Sequence, residues 1–210
     1  AILEGERVVA PLKEIQEVRN AIKVYDLPWS FSEELDLLRA HGILMQGLID
    51  SFGKYRNKGV GVMGKKGVIH VAPPSEQVPP LMKELFNWLK NSNDHPLIKA
   101  AIFHYEFEFI HPFDDGNGRM GRLWQTLILC DWYDFFSLIP IESIIHDYQQ
   151  EYYKALNLSS HLVDCAPFIK FTLKTITKAI DQFELQTGQV TGQVTGQVMS
   201  ILKICKNEMS

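Results

Sequence analysis

Apolar residues recur three and four positions apart along most of the chain, a period that predicts helices and an all-α fold. Leu35, Leu37, Leu38, Ile43, Leu44, Leu48 and Ile49 follow Ser30 and Glu33, a capping-box pair that places a helix start near residue 30. Ser75 to Asn91 opens on prolines and settles into Leu81, Met82, Leu85, Phe86 and Leu89, an amphipathic helix. Asp94 followed by Pro96 marks another start, leading into Leu97 to Phe109. Further helices are expected over about Gly118 to Asp131, Ile141 to Leu158 and Ala166 to Phe183. One segment breaks the period. Lys54 to Pro74 is rich in Gly and Val and ends in Val68-Ile69-His70-Val71, so two β-prone arms around a Gly-rich turn predict a small hairpin over about residues 54–72.

Composition narrows the class. The 210 residues are 46% hydrophobic and 22% charged, which suits one globular domain with a short appendage. A net charge of −4 disfavours a general binder of nucleic acid or acidic membrane. Cys130, Cys165 and Cys205 are widely spaced and form no CxxC pair, which points to a reduced, cytoplasmic chain. The longest apolar stretch, Leu123 to Ile141, is broken by Gln125, Asp131 and Asp134, so no membrane span is expected. Both ends read as cut from a longer protein. The expected organisation is a helical segment over 1–29 and a core over 30–183. A linker follows over 184–200, carrying three Thr-Gly-Gln-Val repeats, and a further helical module opens at 201–210.

Two stretches suggest phosphate chemistry, and one fails. Gly59, Gly61 and Gly64 spell GxGxxG, and Gly59 to Lys66 nearly spells a P-loop. Both motifs need a helix to follow, because its N-terminus binds the phosphate, and here extended residues and Pro73-Pro74 follow instead. The second stretch runs from His111 to Arg122. Gly116-Asn117-Gly118 frees backbone N–H groups to turn toward an anion at a helix start. Arg119 and Arg122 lie three apart on one side of that helix, and each can fork onto phosphate oxygens. Asp115 is a hard oxygen ligand suited to Mg²⁺, and His111 titrates near neutrality and can take a proton from a hydroxyl. Together these describe nucleotidyl or phosphoryl transfer.

The run His111-Pro112-Phe113-Asp114-Asp115-Gly116-Asn117-Gly118-Arg119-Met120-Gly121-Arg122 matches HxFx(D/E)GNGRxxR at every fixed position and resembles the Fic (Fido) family of AMP-transferring enzymes. The resemblance covers about residues 30–183 and implies a helical core with a β-hairpin flap, whose Val68, Ile69 and His70 would meet the target protein. It implies that His111 deprotonates a Ser, Thr or Tyr hydroxyl, which attacks the α-phosphate of ATP. Asp115 would hold Mg²⁺, Gly116, Asn117 and Gly118 would form the anion hole, and Arg119 and Arg122 would bind the outer phosphates. Phe113 would anchor the loop in the core.

Glu4-Gly5 fits the end of the family's inhibitory pattern (S/T)xxxE(G/N), whose Glu pairs with the second motif arginine, here Arg122. The same Glu supports removal of AMP in some relatives, and other relatives transfer other nucleotides or phosphocholine. A rival reading makes the chain a regulatory nucleotide-binding module joined to a DNA-binding winged helix that would begin at Ile201. Family analogy also brings in a homodimer and an adenine contact from Tyr152. Away from the motif, His104 reads as a buried structural histidine, and His41, His95, His146 and His161 carry no assigned role.

Overall fold

Burial marks most of one helix. Ala100, Ala101, Phe103, His104, Tyr105, Phe107 and Ile110 of the helix Pro96–Ile110 are each at most 6% exposed, while Phe109 is 37% exposed. The computed structural model describes residues 10–64 and 67–187. These form α1 (Leu12–Tyr25), α2 (Glu34–Leu44), α3 (Val78–Asn91), α4 (Pro96–Ile110), α5 (Asn117–Trp132), α6 (Ile141–Asp147), α7 (Gln149–Leu162) and α8 (Ala166–Thr187). Strands β1 (Gly61–Gly64) and β2 (Gly67–Val71) lie between α2 and α3 and pair antiparallel, with a bulge between Val62 and Met63. The helical reading of the periodicity holds. Glu4 and residues 188–210, with most of the expected linker and the C-terminal module, lie outside the described residues.

The chain divides into two compact units, residues 1–93 with 106–127 and residues 94–105 with 128–210. In the first, α1 packs on α2, and Val24 of α1 and Leu37, Ala40 and Leu44 of α2 are all at most 2% exposed. Buried Asn20 of α1 donates its amide to the carbonyls of Leu44 (3.0 Å) and Gln46 (2.8 Å), satisfying groups that the end of α2 leaves without helical partners. α3 buries Val78, Met82, Leu85, Phe86 and Leu89 along one face and exposes Lys83, Glu84, Asn87 and Lys90 on the other. In the second unit α7 packs on α8, whose Phe168, Leu173, Ile176 and Ile180 are at most 1% exposed. The rings of His104, Tyr105 and Tyr152 gather around Phe168 with centroids 5.4–5.9 Å away.

Four sequence expectations need correction. Ser30 does not cap α2, which starts at Glu34. Its backbone N–H instead donates to the Asp36 carboxylate (3.0 Å) in a turn before the helix. That helix does not reach Ile49, because Asn20 takes up the carbonyls at its end and Gly47 turns left-handed (φ 75°). The stretch Ile141 to Leu158 is two helices, parted where Tyr148 leaves helical geometry (φ −105°, ψ 32°). α8 also runs four residues into the expected linker.

Candidate active site

A six-residue loop between α4 and α5 carries the candidate chemistry, and its shape follows from three side chains. His111, one residue past α4, has φ 50°, a left-handed exit that its N–H closes by donating to the Phe107 carbonyl (2.9 Å). A histidine rather than a glycine in that region costs on the order of 1 kcal/mol. Asn117, 2% exposed, reads both backbone groups of Phe113: its Oδ1 accepts the Phe113 N–H and its Nδ2 donates to the Phe113 carbonyl, both at 2.8 Å. Gly116 has φ 84°, and a Cβ there would fall 2.7 Å from Met45 Sδ, so backbone and space both require glycine.

His41, given no role from sequence, is the loop's third support. Its Nδ1 accepts the Gly53 N–H (2.9 Å), which leaves Nε2 to carry the proton it donates to the Asp115 carbonyl (3.0 Å). The ring stacks on Phe113 at 3.6 Å and 6°, and Phe113 is fully buried. Burial pulls the His41 pKa down to about 4, against the raising effect of the Asp115 carbonyl, so the imidazole is neutral at physiological pH.

The motif residues converge on one open cavity of about 250 Å³, lined by His111, Asp114, Asp115, Gly116, Asn117, Gly118, Arg119 and Arg122. This places together all the expected residues of the 111–122 run that sequence reading assigned to base, metal and phosphate. His111 Nδ1 lies 3.9 Å from Glu108 Oε2, one turn back on α4. Burial pushes the Glu108 carboxyl up to about 7, opposed by the Arg122 guanidinium. Arg122 lies close over Gly118, where a Cβ would approach its Nη1 to 3.0 Å. Arg119 pairs with Glu17 of α1 and stands 3.5 Å from the Asp115 carboxylate. That carboxylate accepts the Gly116 N–H (2.6 Å) and is 59% exposed at the cavity. A single exposed carboxylate fits Mg²⁺ arriving with phosphate oxygens and water as its other ligands. Among the described residues no group of three metal-ligating side chains assembles.

The other expected residues are not among those that line this cavity. Val68, Ile69 and His70 are on β2. Tyr152 belongs to the second unit, 6% exposed, with its hydroxyl 3.1 Å from Nε2 of fully buried His104, which bears out the structural reading of that histidine. Sequence reading missed His41, Glu108 and Glu17. Only Glu108, at helical spacing from His111, left a signal that could have been read.

Comparison with known proteins gives a consistent family. The Fic/DOC family matches residues 31–129. The protein adenylyltransferase Fic of Nematostella vectensis is 33% identical over 138 residues, 64% of this chain and 30% of that protein. A probable protein adenylyltransferase of Aquifex aeolicus is 33% identical over 131 residues, 62% of this chain and 39% of that one. The crystal structure of a Fic family protein from Desulfovibrio desulfuricans G20 superposes with a TM-score of 0.86 at 49% identity, over 92% of this chain and 60% of that one. This chain thus spans about a third of the length of the curated relatives it matches.

Proposed function

Because this chain belongs to the Fic/DOC family, we propose that it transfers AMP from ATP to a Ser, Thr or Tyr hydroxyl of a target protein. The observation that carries the reading is the cavity itself, where one histidine, a helix start and two arginines face the same volume. Polyphosphate would lie on the N–H groups of Gly116, Asn117 and Gly118, where the positive end of the α5 dipole favours an anion. Arg119 and Arg122 would fork onto the outer phosphates. Asp115 would hold Mg²⁺, which when bound supplies charge neutralisation to the phosphates.

His111 is the base. Its Nδ1 turns toward Glu108, so Nε2 is the nitrogen offered to substrate. Nε2 takes the hydroxyl proton as the oxygen attacks the α-phosphorus, the bond to the β-phosphate bridging oxygen breaks, and pyrophosphate leaves. The imidazolium formed on that step has the Glu108 carboxyl beside it, and a carboxylate there stabilises it. β1 and β2 serve as the flap that aligns the target chain by strand addition. Glu4 inhibits by competing with phosphate for Arg122.

The test uses ATP labelled at the α- or the γ-phosphorus, with the protein and a cell lysate, comparing wild type, Glu4→Gly and Glu4→Gly/His111→Ala. Label from the α-position alone is expected on protein, rising with Glu4→Gly. His111→Ala should reduce it at least about 100-fold while ATP binding persists. Transfer from the γ-position, or transfer that survives His111→Ala, would overturn the reading.

A further inference from the structure

We propose that Arg56 is a positioning residue for the transfer reaction: its guanidinium holds the left-handed exit at His111 and ties it to the chain segments that enter and leave the β1–β2 ribbon. The inference rests on the reading of His111 as the base.

Arg56 is 3% exposed. A buried guanidinium demands partners in a planar fork, and here they are backbone carbonyls. Its Nε donates to the His111 carbonyl (2.7 Å) and its Nη2 to that of Ile110 (3.2 Å). Its own backbone N–H donates to the Pro112 carbonyl (2.9 Å). Three consecutive carbonyls, spanning the end of α4 and the first two loop residues, are therefore fixed by one residue. The last carbonyls of a helix lack helical donors and carry its negative partial charge, so a cation there satisfies and neutralises them together.

The position matters because His111 has φ 50° without being glycine. Such a conformation persists where the surroundings over-determine it. The Phe107 carbonyl fixes the N–H of His111, and Arg56 fixes its C=O and those on either side. With both peptide planes held, the Cα–Cβ direction of His111 is set toward the cavity it lines.

The same guanidinium reaches the segments that enter and leave the ribbon. Its Nη1 donates to Lys58 (2.9 Å), three residues before β1, and its Nη2 to Pro73 (2.7 Å), two residues after β2. A polypeptide seated on β2 thus bears on the side chain that aims the base, and target engagement and base placement share one donor set.

The experiment compares the full chain, in the Glu4→Gly background, as Arg56, Arg56→Lys and Arg56→Ala. Lysine keeps the charge but not the fork, and serves if alanine fails to fold. Three quantities are read: the rate of AMP transfer at saturating ATP, the Kd for ATP, and the HN–Hα scalar coupling of His111 by NMR. Transfer is expected to fall on the order of 100-fold in Arg56→Lys, as for a catalytic group displaced by about 1 Å. The Kd should stay within about twofold, and the coupling should leave its left-handed value. Unchanged transfer and coupling in both variants would sink the proposal, as would a Kd that weakens in step with the rate, since that marks general loss of structure. If the Arg56 protein transfers no AMP, the functional reading fails, and the coupling still decides whether Arg56 holds His111.

Discussion

At the scale of single residues, burial rather than identity sets the chemistry. Packing in α4 strips water from the Glu108 carboxyl and pushes it up to about 7. The folded protein then keeps a proton that the unfolded chain releases above about 4.5. The stability this gives is fully present below pH 4.5 and is lost as pH rises through 7. Glu108→Gln cannot ionise, so its stability relative to wild type should rise by about 3 kcal/mol between pH 4.5 and pH 8. Urea midpoints at the two pH values measure this, and a parallel response in both proteins would refute it. The partners of the 111–122 run were illegible for a related reason. His41 is one of seven histidines, and nothing in its neighbours tells a neutral imidazole read by Gly53 and Asp115 from a surface one.

At the scale of elements, two helices end on a non-glycine residue with positive φ, α4 at His111 and α7 at Val163 (φ 54°). The first is gripped by Arg56. The second is 91% exposed, and its backbone N–H and that of Asp164 both donate to the Ser159 carbonyl. A β-branched residue is poorly suited to that region and here buries nothing in return. Val163→Gly should therefore stabilise the protein by about 1 kcal/mol, seen as a rise in thermal midpoint of a few degrees. A fall would show that the strain is absent. The break at Tyr148 carries neither glycine nor proline, which is why Ile141 to Leu158 read as one helix. Helix existence was legible from the apolar period. Helix ends depended on Asn20, Arg56 and Ser159, donors and acceptors from elsewhere in the chain or the preceding turn.

At the scale of the whole molecule, contacts across long stretches of sequence decide the state of the site. Glu17 of α1 meets Arg119 from 102 residues away and occupies the arginine that the proposed function assigns to phosphate. Both partners are partly exposed, 45% and 27%, so the pair is worth about 0.5 kcal/mol. Glu17→Ala should tighten ATP binding two- to threefold at low ionic strength, and the gain should shrink in 0.5 M salt as screening weakens the competitor. Titration calorimetry at both salt concentrations tests this, and an unchanged or weaker affinity at low salt would refute it. The sequence by itself determined the helical class and the set of groups between His111 and Arg122, because a period and a contiguous loop are local properties. Only the tertiary structure decided how that loop is held. His41, Arg56 and Glu17 reach it from distant positions, and packing alone brings such groups within hydrogen-bond distance and removes the water that would otherwise serve them.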